Sequence, residues 1–341
     1  MAKNQFIYSL SQFSTWLKNQ VYSKIAVICD ENTCNLCLPK LAQCLNSDYV
    51  TIKINGGEKH KSLADCEHIW NALMQNQIDR SSLIINLGGG MITDIGGFAA
   101  ATFKRGVPFV NIPTTLLGMV DASIGNKTGL NFNGVKNQIG TFSEAQAIVI
   151  DVTFLETLPE IEYKSGLGEV LKYGFVKERK LLFKKRYLND KITQETIEQC
   201  VNIKEEIVAQ DPTENGWRQV LNFGHTVGHA LESFSLSNNT PIKHGEAVVW
   251  GMLAECYISH QKVSFTQLET AHELILAYYS VPNWFKAMNF DQIHEYAKHD
   301  KKNKGGEINC TLLHEIGKPE VGFKLSKEEF IDSLKWLQNL A

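Results

Sequence analysis

Five residues in the second half of the chain have side chains that could do chemistry, and four of them lie at a helical spacing. At steps of four, three and four lie Arg218, Asn222, His225 and His229, and a short break separates them from His244. On a helix, such steps place all four side chains on one face. Burying that face would cost several kcal/mol per unpaired charge unless a ligand binds to it. The spacing therefore predicts one helix that lines a binding site. His225 together with His244 suggests that the site holds a metal.

A metal held by two histidines needs a further ligand, and a carboxylate leaves coordination positions open for substrate oxygens. Glu169 is a candidate, with Lys172 three residues further on. A pair at that spacing is most often a surface ion pair that contributes a few tenths of a kcal/mol. Glu246, His229 and Glu232 compete with Glu169 for the position. The residues alone leave the third ligand open.

The composition is that of a globular protein and excludes several classes of partner. Of 341 residues, 43% are hydrophobic and 21% charged, and the formal net charge is only -3. No basic field indicates binding to nucleic acid or to an anionic membrane. Because no apolar run approaches the roughly 18 residues of a membrane span, we expect a cytoplasmic protein. The eight cysteines are then expected to stay reduced.

Cys34 and Cys37 form a Cys-x-x-Cys pair, which can be a redox motif or half of a zinc site. No second pair completes a zinc site. Cys37, Leu41 and Cys44 continue at helical spacing, which favours cysteines that act as small core side chains.

The first half of the chain alternates strand and helix patterns. Short apolar runs predict strands at 24–29, 49–54, 82–87, 107–112 and 147–150. Helical patterns lie between them, notably at 63–74. This order predicts an α/β domain at 1–159 with a mostly parallel, Rossmann-like sheet, whose ligands lie beyond the carboxyl ends of the strands.

After Pro159 the pattern changes to long helices. These are predicted at 160–178, 193–210, 218–234 and 244–260. We therefore expect an all-α C-terminal domain at 160–341.

Residues suited to a nucleotide follow the predicted strands. Gly88-Gly89-Gly90 comes directly after a strand and opens a helical pattern that includes Asp94. Glycines there let the backbone approach a pyrophosphate at a helix N-terminus, although Thr93 occupies the place of the third glycine in G-x-G-x-x-G. An ordinary glycine-rich turn is the alternative. Other polar residues at strand ends are Asp30, Asn32, Glu58, Lys61, Thr114 and Thr115.

A glycine-broken loop carries residues suited to a phosphate or carboxylate. It runs from Asp121 through Lys127 to Gly129, and Lys136 and Asn137 follow. Arg105 could add a bidentate contact to an anion. A solvated loop is the alternative.

A series of motifs spans the chain from about Asp30 to Lys302. They are Gly57-Glu58-x-x-Lys61, Gly88-Gly89-Gly90-x-x-x-Asp94, Arg105-Gly106-Val107, Pro113-Thr114-Thr115-Leu116-Leu117, Asp121-x-Ser123-x-Gly125-x-Lys127-Thr128, Lys136-Asn137, Glu169-x-x-Lys172, Arg218-x-x-x-Asn222-Phe223-Gly224-His225-Thr226-x-Gly228-His229 and His244-Gly245-Glu246. In order and spacing this series resembles the 3-dehydroquinate synthase family.

The resemblance implies an enzyme that uses NAD and a divalent metal, Zn2+ or Co2+. Members of the family convert 3-deoxy-D-arabino-heptulosonate 7-phosphate into 3-dehydroquinate and phosphate, in the shikimate pathway to aromatic amino acids. The C5 hydroxyl is oxidised by NAD, phosphate is eliminated, the carbonyl is reduced again, and the opened ring closes by aldol addition. A homodimer is implied, with Arg105 reaching the substrate of a second subunit.

The resemblance also implies roles for individual residues. The metal ligands are Glu169, His225 and His244. The residues around the substrate are Asp121, Lys172, Lys204, Glu214, Arg218, Asn222 and His229, with Arg218 and Lys204 on the carboxylate and His229 in proton transfer. The phosphate residues are Arg105, Lys127, Asn137, Lys301 and Lys302. The NAD residues are Asp30, Asn32, Glu58, Lys61, Gly89, Gly90, Asp94, Thr114, Thr115, Lys127, Lys136, Phe154, Thr157 and Leu158.

The chain departs from the family pattern at three positions. Thr93 and Asn126 stand where the family more often has glycine, and Ala122 stands where it often has serine. Asn126 adjoins Lys127, so this departure bears on the geometry of the phosphate loop.

Three alternatives remain. Related sugar phosphate cyclases act on sedoheptulose 7-phosphate or glucose 6-phosphate, which lack a carboxylate, and Lys204, Arg218 and Asn222 argue against them. A metal-dependent polyol or glycerol-phosphate dehydrogenase would accumulate NADH. A non-catalytic binding protein would not need a set of metal ligands.

Overall fold

The computed structural model describes residues 5–45, 48–133, 135–182, 192–299 and 307–341. The chain forms two compact units. Unit 1 comprises Met1–Tyr163 and Thr193–Val201, and unit 2 comprises Lys164–Ile192 and Asn202–Ala341.

Unit 1 is built on a parallel sheet of six strands. These are β1 (Phe6–Ile7), β2 (Ile25–Asp30), β3 (Tyr49–Ile54), β4 (Leu83–Gly88), β5 (Phe109–Pro113) and β8 (Ala147–Val149). Their order across the sheet is β1-β8-β5-β4-β2-β3. The five strands predicted from apolar runs are confirmed, with ends that shift by one or two residues. Continuous apolar runs such as β4, which is buried throughout, are typical of parallel strands covered on both faces.

The order of the strands defines where unit 1 can hold a ligand. From β2 the chain first adds β3 on one side and then crosses to add β4 on the other. In parallel sheets this reversal opens a crevice beyond the carboxyl ends of the two strands that flank it. Asp30 ends β2 and Gly88 ends β4, so Asp30 and the glycine motif lie at this edge.

The helices of unit 1 connect these strands. They are α1 (Leu10–Lys18), α2 (Glu31–Leu36), α3 (Leu38–Ala42), α4 (Leu63–Gln75) and α5 (Gly90–Thr102), and β6 (Lys127–Phe132) pairs with β7 (Val135–Phe142) in an antiparallel hairpin. The predicted helix at 63–74 is confirmed by α4. Cys37, Leu41 and Cys44 lie in the core, as expected for small apolar side chains.

Unit 2 is mostly helical. Two of its helices begin in unit 1, namely α6 (Glu160–Val176) and α7 (Gln194–Gln210). The others are α8 (His225–Ser237), α9 (His244–Val263), α10 (Leu268–Leu276), α11 (Phe290–Lys298) and α12 (Lys327–Gln338). The expected helical character is confirmed, but this half is not all-α. An antiparallel hairpin joins β9 (Ile308–Glu315) to β10 (Lys318–Leu325). Burial alternates along β10 with the period of two that is typical of a strand. The prediction of an all-α domain did not take this alternation into account.

The helix predicted at 218–234 is wrong in its first half. A 3-10 turn covers Trp217–Asn222, and α8 begins only at His225. Between them Gly224 has a φ of 80°, in the left-handed region that glycine adopts most readily. Arg218 and Asn222 therefore do not share a helix face with His225, and only the i,i+4 pair of histidines remains on one helix.

The start of α8 and that of α9 are held in place by close backbone packing. A Cβ atom on Gly251 of α9 would overlap the carbonyl oxygen of Gly224. Likewise, a Cβ on Gly245 would overlap the carbonyl oxygen of Ser165 in α6, and a Cβ on Gly168 would overlap that of Gly245. Glycine is needed here because the backbones leave no room for a side chain.

No helix in the described part of the chain has both the length and the apolar character needed to cross a membrane.

We expect Gly251→Ala to lower the free energy of unfolding by about 1–3 kcal/mol, because its methyl group would push α9 away from α8. Denaturant unfolding measures the change. Gln261→Ala, an exposed substitution on the same helix, is the control and should stay within about 0.5 kcal/mol of the native chain. Equal stability of both variants would contradict the close contact.

Candidate active site

Three side chains from three helices of unit 2 converge at one point. An oxygen of Glu169, on α6, lies 3.3 Å from Nε2 of His244 and 3.5 Å from Nε2 of His225. Two ligand atoms bound to one tetrahedral zinc, each about 2.0–2.2 Å from it, lie about 3.3–3.5 Å apart. The separations are therefore those of ligands around a single metal, and this donor set fits one.

The second oxygen of Glu169 has a different partner. Lys172, one helical turn along α6, places its ammonium group against this oxygen. Both side chains are buried, so the pair is not the surface ion pair that is usual at this spacing. Because the lysine takes one oxygen, the other is directed toward the histidines, and the carboxylate would bind a metal through one atom.

Partners on the far side of each imidazole fix the orientation of the two histidines. Nδ1 of His225 lies 3.2 Å from the carbonyl oxygen of Phe223, and Nδ1 of His244 lies 3.5 Å from a carboxylate oxygen of Glu232. In metal sites such partners leave Nε2 as the ligand atom. Glu232 entered the sequence reasoning only as a competing ligand. In the sequence, Glu232 lies three residues after His229 and therefore on the same face of α8 as the histidines. This position is the signal for its second role.

The electrostatics around His244 favour a cation. Burial acts to lower the pKa of this imidazole, but the hydrogen bonds and negative charges of Glu169 and Glu232 outweigh it and raise the pKa to about 9. The same carboxylates would stabilise a bound metal ion, whose uptake would release the proton.

His229 also lies close to the centre. The rings of His225, His229 and His244 have centroids 5.2–5.6 Å apart, and ligand nitrogens of the three lie within 4.8 Å of one another. A centre of three histidines is thus an alternative to the one with Glu169. The shorter separations to the glutamate oxygen, together with the burial of Glu169, favour the carboxylate.

Unit 2 also buries three cationic side chains that were predicted for the substrate. Lys172, Lys204 and Arg218 are 1%, 6% and 3% exposed. Long basic side chains are rarely buried this fully unless anionic groups compensate them. Lys172 has such a group in Glu169.

Arg218 and Asn222 lie in one short loop with Glu214. The guanidinium of Arg218 donates to the carbonyl oxygen of Pro212 at 2.8 Å, and the side-chain amide of Asn222 donates to Glu214 at 3.1 Å. The backbone of Glu214 has a φ of 62°. The structure thus brings Asn222 and Glu214 together by this loop and not by a helix face.

Asp211 organises this loop and was missed by the sequence reasoning. Its carboxylate accepts hydrogen bonds from the backbone N–H groups of Asn215 at 3.1 Å, Gly216 at 2.7 Å and Arg218 at 3.1 Å. The signal in the sequence is the Asp-Pro and Asn-Gly composition, which is typical of a turn.

In unit 1 the glycine motif forms the strand, turn and helix that a dinucleotide site needs. Gly89 is the N-terminal cap of α5, and no side chain caps this helix start. A Cβ on Gly89 would approach Thr115 to 3.0 Å, and a Cβ on Gly90 would come within 2.8 Å of the methyl group of Ala122. The bare backbone and the N–H groups of the helix start fit a pyrophosphate.

Lys61, Asp94 and Asn137 are in direct contact. The buried ammonium group of Lys61 donates to the carboxylate of Asp94 and to the side-chain oxygen of Asn137. Asn131, which the sequence reasoning missed, joins this group: its N–H donates to the carbonyl oxygen of Lys61, and its side-chain oxygen accepts from the N–H of Asn137. The amide of Asn131 also donates to the Glu58 carboxylate at 2.8 Å.

Asp30 has a structural role in addition to the one predicted. Its carboxylate caps α2 by accepting from the backbone N–H of Thr33 at 2.8 Å. Asn32 lies in the first turn of the same helix.

The remaining predicted residues of unit 1 differ in exposure and in the elements that carry them. Thr114 and Phe154 are buried, Thr115 and Leu158 are half-buried, and Thr157 is exposed. Asp121 lies in a helical turn, Gly118–Ala122, and Lys127 begins β6. Arg105, Lys127 and Lys136 are exposed. Lys301 and Lys302 lie outside the described residues.

Two departures from the family pattern have structural explanations. Asn126 has a φ of 61°, in the left-handed region where asparagine is the next best residue after glycine. Thr93 is buried in α5, where its hydroxyl donates to the carbonyl oxygen of Gly90.

Comparison with solved structures shows which fold the chain shares. The chain superposes on 2-epi-5-epi-valiolone synthase from Streptomyces hygroscopicus, solved with NAD+ and Zn2+ bound, with a TM-score of 0.87 and 24% identity over 99% of this chain and 98% of that one. For 2-deoxy-scyllo-inosose synthase in complex with carbaglucose-6-phosphate, NAD+ and Co2+, the TM-score is 0.83 and the identity 21% over 97% and 96%. The fold is that of sugar phosphate cyclases.

Sequence comparison identifies the family. The models of the N-terminal and C-terminal parts of 3-dehydroquinate synthase match residues 51–165 and 166–303. The 3-dehydroquinate synthase of Parabacteroides distasonis is 40% identical over 332 residues, which cover 95% of this chain and 94% of that protein. That of Campylobacter concisus is 36% identical over 93% and 92%. The chain belongs to the 3-dehydroquinate synthase family.

We expect the metal to depend on Glu169 and not on His229. Glu169→Gln, His225→Ala and His244→Ala should each lose stoichiometric Zn2+, whereas His229→Ala should retain it, because the glutamate oxygen lies at ligand distance from both other histidines. Metal content after gel filtration measures this. Loss of zinc from His229→Ala with retention in Glu169→Gln would establish the alternative centre of three histidines.

We expect a pH-dependent loss of stability in Asp211→Asn. Burial acts to raise the pKa of the Asp211 carboxyl, but backbone hydrogen bonds, led by that from Gly216, outweigh it and hold the pKa below its ordinary 3.8. The ionised group therefore stabilises the folded chain fully above that value, and the contribution is lost as pH falls through the lower folded pKa.

The native chain should accordingly exceed Asp211→Asn by about 1 kcal/mol in free energy of unfolding at pH 7, a difference that narrows below about pH 4. Urea unfolding across this range measures it. Glu328→Gln, an exposed substitution on α12, is the control. A difference that stays constant down to pH 3 would be inconsistent with the assignment.

Proposed function

We propose that the chain converts 3-deoxy-D-arabino-heptulosonate 7-phosphate into 3-dehydroquinate and phosphate, as 3-dehydroquinate synthases do. Family membership over most of the chain supports the reaction. The observation that carries the site assignment is the buried Glu169 oxygen at ligand distance from His225 and His244.

The cofactors are NAD and a divalent metal, as in the solved sugar phosphate cyclases that hold NAD+ with Zn2+ or Co2+. When bound, NAD supplies a hydride acceptor and the metal supplies a Lewis acid for substrate oxygens. Glu169, His225 and His244 would hold the metal. Lys172 neutralises the second oxygen of Glu169, the one directed away from the histidines, and thereby fixes which oxygen would face the ion.

Other residues of unit 2 would bind the substrate. Arg218 presents a planar guanidinium that matches a carboxylate, and Lys204 adds a second buried positive charge. Asn222, held by Glu214, would orient a hydroxyl group. His229 would carry protons, because its ring lies beside both ligand histidines.

Unit 1 would bind the cofactor. The N–H groups at the start of α5, with Gly89 and Gly90, would hold the pyrophosphate. Lys61 and Asp94 would act as one ion-paired unit at this edge of the sheet. Asp30, Asn32, Glu58, Thr114, Thr115, Lys136, Phe154, Thr157 and Leu158 complete the proposed NAD set.

For the phosphate we propose Lys127, Asn137, Arg105, Lys301 and Lys302. Asp121, in the helical turn Gly118–Ala122, stays a proposed residue around the substrate. The side-chain oxygen of Asn137 already accepts from Lys61, which leaves the amide N–H groups of Asn137 as its donors to an anion. A basic residue and an amide are suitable donors to phosphate oxygens.

The assembly and the location are further proposals. Arg105 is exposed at a turn of left-handed backbone, where it could reach a neighbouring subunit of a homodimer. The domain limits 1–159 and 160–341 and a cytoplasmic location also remain proposals.

The decisive experiment incubates the purified chain with NAD, Zn2+ and the heptulosonate phosphate, and follows phosphate release, dehydroquinate and absorbance of NADH. We expect phosphate and dehydroquinate in equal amounts and no net NADH, because the hydride returns to the substrate. Accumulating NADH would point instead to a polyol dehydrogenase.

Arg218→Lys tests the choice of substrate within the same assay. It keeps the charge but loses the bidentate geometry, so kcat/KM for the heptulosonate should fall about a hundredfold, which is about 3 kcal/mol. Sedoheptulose 7-phosphate, which lacks the carboxylate, should not be turned over by the native chain. Turnover of that sugar without turnover of the heptulosonate would sink the substrate assignment.

A further inference from the structure

A buried carboxylate outside the proposed catalytic set lies at the start of the helix that carries His225. Glu255, on α9, is fully buried. One of its oxygens accepts from the N–H of Gly224 at 2.7 Å, and the other accepts from the N–H groups of Thr226 at 3.1 Å and Val227 at 3.3 Å. All three donors belong to the first turn of α8 or to its cap.

These contacts replace a cap that the sequence of α8 does not provide. The first N–H groups of any helix lack partners within the helix, and a serine, threonine or aspartate usually satisfies one of them. The cap residue of α8 is Gly224, which has no side chain. A carboxylate from a neighbouring helix therefore satisfies the buried donors, and its negative charge is stabilised by the positive end of α8.

From this geometry we infer that Glu255 is a positioning residue, which fixes the first turn of α8 and thereby the orientation of the His225 imidazole. His225 lies between Gly224 and Thr226, and the N–H groups of both neighbours are bound by Glu255. The imidazole ring itself is restrained by the carbonyl oxygen of Phe223, which lies 3.2 Å from its Nδ1. The direction of Nε2 then follows from the backbone.

The same contact couples Glu255 to the close packing of α8 on α9. Gly251, where a Cβ would overlap the carbonyl oxygen of Gly224, precedes Glu255 by one helical turn and lies on the same face of α9. Gly251 lets the backbone of α9 approach, and Glu255 binds the N–H groups that this approach buries. Partners that orient a ligand histidine typically contribute 10–100-fold to metal affinity.

Glu255→Gln tests this inference. The substitution keeps the shape, but it replaces one acceptor oxygen by an NH2 group that faces backbone N–H donors. We expect the amides of Thr226 and Val227 to exchange with deuterium at least tenfold faster and the Zn2+ affinity to fall 10–100-fold. The visible absorption of the Co2+ form should also change, because it reports the geometry around the ion.

Two further variants separate positioning from general destabilisation. Glu255→Asp keeps the charge on a shorter side chain, should recover part of the metal affinity, and serves if Glu255→Gln does not fold. Ser259→Ala, one turn along α9, removes the hydrogen bonds of a buried hydroxyl to the backbone of Glu255 and of Leu313. It should lower stability but leave the metal affinity and the Co2+ spectrum unchanged.

The inference rests on the proposed metal site, and the two can fail separately. If the native chain binds metal while Glu255→Gln shows native amide exchange, affinity and spectrum, the role of Glu255 is overturned and the ligand assignment stands. If the native chain binds no metal at His225 and His244, the proposed function fails, and the exchange at Thr226 and Val227 still decides whether Glu255 fixes this turn. Equal loss of affinity in Ser259→Ala would reduce Glu255 to a general structural role.

Discussion

The active site of unit 2 depends on how closely three helix backbones approach one another. Gly168 and Gly245 let α6 and α9 touch, and Gly224 and Gly251 do the same for α8 and α9. This packing determines where the first residues of α8 and α9 lie, and these are the two histidines proposed as metal ligands. Since Cβ atoms would separate the backbones, the geometry of the proposed metal site is set by residues that have no side chains.

The charges of the site are balanced within the fold. Glu169 is surrounded by two histidines and a buried lysine, so each of its oxygens faces positive or metal-binding groups. On the backbone side of His225, the carboxylate of Glu255 accepts hydrogen bonds from N–H groups at the start of α8. Isolated carboxylates at such depth would be costly to bury, whereas each of these two has polar partners.

Parts of this arrangement could be predicted from the sequence, and others could not. The parallel strands were predictable because each is a continuous apolar run, and the glycine motif because it follows such a run. The helix through Arg218 and His225 was not, since spacing cannot show that Gly224 takes a positive φ and ends the pattern. The contact of Glu255 with the start of α8 joins residues 31 apart that no local pattern connects. From the residues alone Glu169 was one candidate of several; the resemblance to the family selected it, and the geometry favours it over His229.

The three proposed ligands come from α6, α8 and α9, so no single one of these helices can bind the metal in the proposed way by itself. We expect contacts between residues as far apart as Glu169 and His244 to form late, because a long stretch of chain must be ordered before they are made. High-affinity metal uptake should therefore accompany the last stages of folding in this unit. The ion would stabilise the helices of this unit after they have packed together, and it would not nucleate their folding.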